Sequence, residues 1–206
     1  MDNNRVGRVL RASTRGFDCG THSRDIGNQH DFGAFVMVPV ANDSGTVAIG
    51  VIYKIEIKDD QLISELVMGD AVPDTILRDQ RENRMIPVEV KVLNIGYAQN
   101  GNIIQSLPPR PPMSLTDVMV CTPDDIFYFT EQNYDFFRLI LGASEVPSDD
   151  LIAACIRKAA NARENPDERY TFLVECGRQL ARYLSNDLRR LSYVLNLIRP
   201  DLPVPG

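Results

Sequence analysis

The clearest pattern along the chain is an alternation of apolar and other positions over Thr46–Ile57. One face of this segment carries Val47, Ile49, Val51, Tyr53, Ile55 and Ile57. The opposite face carries Ala48, Gly50, Lys54 and Glu56. A period of two over this length is typical of a half-buried β-strand. The pattern therefore predicts a strand with one face against a core.

Shorter segments with the same period flank this strand. We predict further strands over Arg5–Leu10, Ala34–Val40, Pro87–Leu93 and Val118–Cys121. In the third of these segments, the side chains expected to point inward are Val88, Val90 and Val92. Leu93 and Ile95 then continue the apolar pattern with the opposite parity. This shift predicts a β-bulge near Leu93.

Turn-forming residues separate the predicted strands. The polar, glycine-containing stretch that ends at Gly33 is predicted to be a loop. Asn42–Gly45 is expected to close a hairpin, and Asn100-Gly101 to fold Asn102–Ser106 back onto the preceding strand. Leu107–Pro112 contains four prolines. Because proline cannot donate a ladder hydrogen bond, this segment is predicted to be an extended crossing.

Helical patterns occur in two places before residue 143. Residues 61–83 are expected to form short helices, because their apolar positions change to helical spacing. Thr122-Pro-Asp-Asp125 supplies a hydroxyl cap, a proline at the first helical position and acidic residues in the first turn. These features predict a helix start. The aromatic and apolar segment that follows ends at Gly142.

A helical extension is predicted after a linker at residues 144–148. Ser148 is expected to cap a helix with an apolar stripe made of Leu151, Ile152, Cys155, Ile156 and Ala159. After Asn165-Pro166 the helical pattern continues to Pro200. This part is predicted to be either one long helix or two helices broken at Ser185–Asp187.

Two sets of residues allow a second interpretation as binding elements. Arg110 and the flanking prolines match a polyproline ligand for an SH3-like partner, although a structural crossing is the favoured interpretation. The polar sides of the C-terminal helices carry Arg157, Lys158, Arg163, Arg178, Arg182, Arg189, Arg190 and Arg199. These charges predict a solvated face, with a partner-docking or membrane-surface helix as the alternative.

Composition limits the classes of function. The chain of 206 residues has a net charge of −6, with −7 in residues 1–148 and +1 in residues 149–206. An acidic main domain repels phosphate backbones, which argues against nucleic-acid binding through broad electrostatics. No apolar run is long enough to span a bilayer, and residues 1–5 lack a signal region. We therefore expect a cytoplasmic protein with no membrane partner.

Few residues could carry out chemistry. Free thiols in core positions are expected for the cysteines Cys19, Cys121, Cys155 and Cys176. The sequence contains no P-loop, dinucleotide-binding, nucleophile-elbow or zinc-protease motif. Any mechanism that depends on histidine must use His22 or His30, because the chain has two histidines.

One loop nevertheless combines several reactive side chains. A metal site there could use Cys19, His22, His30 and Asp31. A nucleophilic site could pair Cys19 with His22, or Ser23 with His22 and Asp25. The spacing matches no structural zinc pattern, and neighbours in a loop rarely converge on a shaped pocket. We therefore expect an ordinary loop and assign no catalytic, cofactor-binding or metal residue.

Several segments follow one another in an order that a known family shares. They are Val6–Val9 with Ala12–Thr14, Phe32–Val36, Ile49–Ile52, Pro87–Leu93 and Leu107–Pro112. Over residues 5–142 the chain thereby resembles the HAS barrel, the N-terminal β-barrel of HerA-type DNA-translocating ATPases and of ATP synthase catalytic subunits. The resemblance implies an α+β fold, with a small, mainly antiparallel β-barrel and inserted short helices over residues 1–143. The linker at 144–148 and a helical extension over 149–206 follow.

The resemblance implies a role in assembly rather than in catalysis. The family's ATPase residues have no counterpart here, because a helical extension takes the place of the P-loop domain. We expect a non-enzymatic assembly or adaptor module that oligomerises or docks to a HerA-like ATPase or its nuclease partner. The strand edges of a small open barrel are one means of such association. The alternatives are a nucleic-acid-binding barrel and an enzyme that uses the Cys19–His22 loop.

Overall fold

The computed structural model describes residues 4–40, 45–57 and 87–199. Its strands are β1 (Arg5–Ala12), β2 (Gly16–His22), β3 (Phe35–Pro39), β4 (Thr46–Ile57), β5 (Pro87–Gln99), β6 (Asn102–Ile104) and β7 (Asp117–Val120). Its helices are α1 (Pro123–Glu131), α2 (Phe136–Leu141), α3 (Ser148–Asn161), α4 (Pro166–Tyr183) and α5 (Leu188–Ile198). Residues 42–44 of the predicted hairpin turn and the short helices predicted over 61–83 lie outside the described residues.

Six of the strands close into an antiparallel barrel. The order around the barrel is β2-β1-β7-β3-β4-β5, and a ladder between β5 and β2 completes the circle. β6 lies outside the circle, paired with the end of β5 through the predicted turn at Asn100-Gly101. Both turn residues have positive φ, as a type I′ hairpin requires. The predicted α+β fold, a small antiparallel barrel with a helical extension, is confirmed.

The strand β4 is buried on both faces over its first half, whereas its alternation predicts one buried face. Ala48 and Ile52 pack in the barrel interior. Ile49 and Val51 belong instead to a second core, which the helices form on the outside of the barrel. The helical layer therefore supplies the second buried face of β4. A period of two within one strand cannot reveal that layer.

A β-bulge adjusts the pairing of β5 with β4. Ile95 has no partner, because Asn94 and Gly96 face consecutive residues of β4. The bulge predicted near Leu93 is confirmed, two residues further along the strand. The side chains predicted to point inward are all buried in the barrel interior, namely Val88, Val90 and Val92.

The strand β2 lies in the stretch that the sequence predicts to be a loop. Phe17 and Cys19 contribute to the barrel interior, but glycines occupy two of the other positions of β2. A side chain at Gly16 would collide with the carbonyl group of Val92 on β5. The tight ladder that closes the barrel thus requires glycine at position 16, and the two glycines remove the alternation that would have revealed the strand.

The helix α1 begins as predicted. The Thr122 hydroxyl oxygen accepts the Asp125 N–H at 3.2 Å, and the Asp125 carboxylate accepts the Thr122 N–H at 2.8 Å. Residues 132–135 separate the end of α1 from the start of α2. The buried side chain of Gln105 holds this break by donating to the Phe129 carbonyl at 2.7 Å and accepting the Phe136 N–H at 3.0 Å.

The helix α3 lies at the centre of the helical layer. Every residue of its predicted apolar stripe is buried. Ser148 does not cap α3 as predicted, because it is the first helical residue and Pro147 takes the N-cap position; its hydroxyl oxygen accepts a hydrogen bond from Arg190 at 3.1 Å. The helical pattern beyond residue 165 forms two helices, α4 and α5, joined at residues 184–187. All of the helices share a core with the barrel residues Phe35 and Ile95, so the extension packs on the barrel.

Candidate docking surface

The cysteines of the chain are buried and free, as predicted. Cys19 lies in the barrel interior, where burial and, to a lesser extent, the charge of Asp18 raise its pKa to about 12. Burial also raises the pKa of Cys121, Cys155 and Cys176 above the ordinary value. A thiol that is protonated at neutral pH and enclosed by side chains is a poor nucleophile. Cys19 therefore has a packing role.

His30 has a structural role in the loop after β2. Its ring is buried, and its Nδ1 atom accepts the Gly27 N–H at 3.2 Å. Its Nε2 atom therefore carries the proton, which it donates to the Val6 carbonyl oxygen at 2.7 Å. The Nε2 atom thus fastens the loop to β1, and the Nδ1 atom holds the turn within the loop itself.

The candidate residues His22, Asp25 and Asp31 of this loop are exposed, whereas Cys19 is buried in the barrel interior. The His22 ring is exposed, and its Nδ1 atom lies 3.8 Å from the Asp25 carboxylate. Asp31 forms an ion pair with Lys158 of α3 at 3.0 Å. Within the described residues, no group of three or more His, Cys, Asp or Glu side chains could hold a metal ion.

The proline block crosses from β6 to β7 outside the regular strands. An isolated bridge joins Pro112 to Val40. Pro108 and Pro112 are buried, whereas Arg110 is exposed. Prolines that pack within the fold are not free to lie in the groove of an SH3-like partner. The geometry therefore favours the structural crossing.

The helices cover only part of the barrel wall. They pack against β3, β4 and β5, and among the described residues none from β1 or β2 belongs to this shared core. On the outside of β1, the side chains of Arg5, Arg8 and Leu10 are exposed. The wall around β1 is therefore a surface that a partner could reach.

A turn at Met113–Thr116 extends this wall. Leu115 has a φ of 67°, as at the third position of a type II turn, where glycine or asparagine is usual. The turn is fastened to β1 by two backbone hydrogen bonds. The Leu115 N–H donates to the Val9 carbonyl at 2.8 Å, and the Val9 N–H donates to the Thr116 carbonyl at 3.0 Å.

The turn and β1 together expose three apolar side chains. The exposed fractions are 50% for Leu10, 54% for Met113 and 75% for Leu115. Arg5 and Arg8 flank them, and both guanidinium groups contact the same carboxylate oxygen of Asp117, at 3.7 and 3.0 Å. We call this surface the β1 patch and define it as Arg5, Arg8, Leu10, Met113 and Leu115. Asp25 lines the same surface pocket as Arg5, Arg8 and Leu10, so this part of the wall carries charges of both signs.

A second surface lies between α1 and α4. It is an open groove of about 680 Å³ with aromatic walls and an acidic rim. We call it the α4 groove and define it by Phe127, Glu131, Arg163, Glu168, Tyr170 and Phe172. A cavity of this size falls within the range of roughly 300–1,000 Å³ that is typical of ligand sites.

Arg163 forms the floor of the α4 groove, although the sequence predicts a solvated side chain. It is 5% exposed, and its guanidinium group lies over the Phe172 ring at 3.6 Å and near the Phe127 ring at 5.1 Å. It donates to the Ala159 carbonyl at 2.6 Å and to the Thr130 hydroxyl at 3.1 Å. Burial lowers its pKa from the ordinary value. This cation holds α1, α3 and α4 together.

The rim of the α4 groove is acidic. Glu175 pairs with Arg178 at 3.2 Å. Glu131 and Glu168 line the groove and form no ion pair with any residue in the described ranges. Both residues are exposed, and their charges favour the charged form of Arg163 and so raise its pKa against the effect of burial.

Comparison with other proteins gives no family assignment. The chain matches no protein-family model, and no curated protein is significantly similar to it. In the part of the chain that the structure describes, no helix is long and apolar enough to cross a membrane. The β1 patch and the α4 groove are the two surfaces of the described residues that bear on function.

Proposed function

We propose that this protein is a non-enzymatic assembly or adaptor module that binds a protein partner through the β1 patch. The observation that carries the proposal is Leu115, which is exposed, held at positive φ and fastened to β1. The partner is a second copy of the chain, or a separately encoded HerA-like ATPase or its nuclease. The resemblance to HAS barrels supports the ATPase and the nuclease, and exposed apolar side chains support a protein partner in general.

The strain at Leu115 strengthens this proposal. A non-glycine residue in the left-handed region costs on the order of 1 kcal/mol or more. The fold recovers little of that cost, because three quarters of the Leu115 surface remains in solvent. Strained and exposed residues of this kind cluster at binding and switch regions. An apolar contact with a partner would use the side chain that the isolated chain leaves exposed.

Closure of the barrel changes the expected means of association. The sequence suggests that an open barrel could use its strand edges, but the β2–β5 ladder removes those edges. Among the described strands, β6 alone pairs with a single neighbour. Association is therefore proposed to proceed through side chains on the barrel wall.

The test compares Leu115→Asp with a control at another exposed leucine, Leu188→Asp on α5, which is 72% exposed. We expect Leu115→Asp to abolish capture of a co-expressed HerA-like ATPase or nuclease, or to abolish self-association in light scattering. Leu188→Asp should leave both unchanged. Equal behaviour of the two variants, with both well folded by circular dichroism, would contradict the role of the β1 patch.

A further inference from the structure

We propose that Asn100 is a site of spontaneous chemical modification, at which deamidation converts the side chain to aspartate and isoaspartate. The substrate is the chain's own Asn100-Gly101 pair in the turn that joins β5 to β6, and water is the only other reactant. This inference goes beyond the proposed assembly function and does not depend on it.

The reaction needs no catalyst outside the chain. The backbone nitrogen of Gly101 attacks the side-chain amide carbon of Asn100, and a cyclic imide forms. Ammonia leaves, made of the side-chain amino group and the proton that the backbone nitrogen gives up. Water then opens the imide at one of its two carbonyl groups. Opening at the side-chain carbonyl gives aspartate, and opening at the main-chain carbonyl gives isoaspartate, in which the main chain runs through the side-chain carbon.

The environment of the turn leaves both reacting groups accessible. Asn100-Gly101 is the one asparagine–glycine pair in the chain, and glycine has no Cβ atom that would shield its backbone nitrogen. Both residues are exposed, and a Cβ atom placed on Gly101 would have no neighbour within 4 Å. Neither the Asn100 side-chain amide nor the Gly101 N–H forms a hydrogen bond with the described part of the chain. Nothing there holds the two groups apart except the backbone of the turn.

Two other asparagines on the same pair of strands provide a contrast. Asn94 of β5 is fully buried, and its Nδ2 atom donates to the Thr14 carbonyl at 3.0 Å. Asn102 of β6 is exposed, but Ile103 follows it in the chain. A β-branched side chain is stiff and crowds its own backbone nitrogen. Asn100 therefore combines an exposed amide with an unshielded nitrogen, whereas each of the other two lacks one or both.

The closed turn opposes the reaction, because ring closure requires the Gly101 nitrogen to rotate toward the Asn100 side chain. In the closed turn both residues have positive φ, and the pair formed by Gln99 and Asn102 holds them in place. Among the described strands, however, β6 is only three residues long and pairs with β5 alone. Elements with few partners open locally at a low free-energy cost. Asn100 therefore reacts from the open form of the hairpin, and opening of the hairpin controls the rate.

Isoaspartate at position 100 changes the main chain of the turn. It inserts an extra carbon atom between two strands that a type I′ turn joins through two residues of fixed geometry. The pairing of Gln99 with Asn102 is then lost. β6 leads directly into Gln105, whose side chain donates to the Phe129 carbonyl at 2.7 Å. The damage therefore reaches the contact between the hairpin and α1, and the modified chain should melt at a lower temperature.

The test incubates the purified chain in warm, mildly alkaline buffer and maps the products by peptide mass spectrometry. We expect Asn100 to account for most of the deamidated product, with isoaspartate detected there by an isoaspartyl methyltransferase used as an analytical reagent. The control variant is Asn100→Gly, because glycine keeps the positive φ of the turn and has no amide. This variant should lose that product. Unfolding in urea should accelerate the reaction at Asn100, because it removes the closed turn.

Ion exchange then isolates the modified chain, which carries an additional negative charge. Its thermal midpoint should lie below that of the unmodified chain, whereas incubation should leave the midpoint of Asn100→Gly unchanged. Deamidation that is spread evenly over the asparagines, or that spares Asn100, overturns the inference. Equal rates at Asn100 in the folded chain and in urea would contradict control by hairpin opening. Equal midpoints for the modified and unmodified chains would contradict the effect on β6.

Discussion

The two sides of the barrel wall differ in what lies against them. On the side formed by β3, β4 and β5, outward-facing residues such as Ile49 and Val51 are covered by helices and are as buried as the barrel interior. On the side of β1, outward-facing residues such as Arg8 and Leu10 remain in solvent. The covered side thus resembles the middle layer of a three-layer structure, whereas the β1 side is an outer surface.

This difference shows where the chain can accommodate a binding surface. A covered wall must fit its helices at close packing density, so each of its positions is constrained by stability. The exposed side chains of the β1 wall carry no such constraint, although a Cβ atom at Gly7 of β1 would lie 2.5 Å from the Gly20 carbonyl oxygen. Matched substitutions on the two sides should therefore give very different results.

The largest difference is expected for truncation of a large apolar side chain. Phe136, the first residue of α2, is fully buried in the core that the helices share with the covered wall, with its ring 5.5 Å from that of Phe129 and 4.8 Å from that of Phe137. Phe136→Ala should lower the free energy of unfolding by about 3–5 kcal/mol, because it leaves a cavity. Leu10→Ala on the β1 wall should change it by less than about 0.5 kcal/mol. Urea denaturation measures both, and a similar loss for the two variants would contradict the comparison.

A smaller difference is expected at two strand glycines. A Cβ atom at Gly96 would lie 2.6 Å from a ring carbon of Phe129 and 2.8 Å from the Ile104 carbonyl oxygen. Gly96→Ala should therefore destabilise the protein by about 1–3 kcal/mol through overpacking.

Gly20 provides the matched position on the β1 wall. A Cβ atom there would lie 3.3 Å from the terminal methyl carbons of Leu10, whose half-exposed side chain can move aside. Gly20→Ala should change the free energy of unfolding by no more than about 0.5 kcal/mol. Its thermal midpoint should therefore shift little. Equal shifts in the thermal midpoint for the two variants would show that the β1 wall is as tightly packed as the covered wall.

The sequence reveals the elements of the barrel that have a strong local signal. The bounds of β4 can be predicted because its alternation runs uninterrupted, and the start of α1 because Thr122 and Asp125 form a cap within four residues. β2 is missed because Gly16 and Gly20 interrupt its alternation, and the requirement for glycine at position 16 comes from the close approach of the distant strand β5. Burial of β4 on both faces is missed for a related reason, since the covering helices come from distant parts of the chain.

The candidate surfaces are harder to predict than the fold. Arg163 appears in the sequence as one of many helix arginines, and its burial depends on Phe127 and Phe172 from two other segments. Leu115 occupies a turn position where glycine is usual, so local turn chemistry does not indicate it. Its neighbour Leu10 comes from a strand about a hundred residues earlier in the chain. Surfaces that combine distant segments have no signature in a single sequence.

The smallest expected change in stability concerns Leu115, and it separates folding from binding. Because Leu115 has a φ of 67° and is largely exposed, Leu115→Gly relieves backbone strain while removing little buried surface. The free energy of unfolding should stay constant or rise by up to about 1 kcal/mol, after allowance for the greater chain entropy of glycine. Self-association or partner capture should fall by about tenfold or more, because the apolar side chain is lost. Leu115→Asn, which also tolerates positive φ, should behave in the same way in both measurements. A clear loss of stability in both variants would mean that Leu115 supports the fold, and the β1 wall would then resemble the covered wall after all.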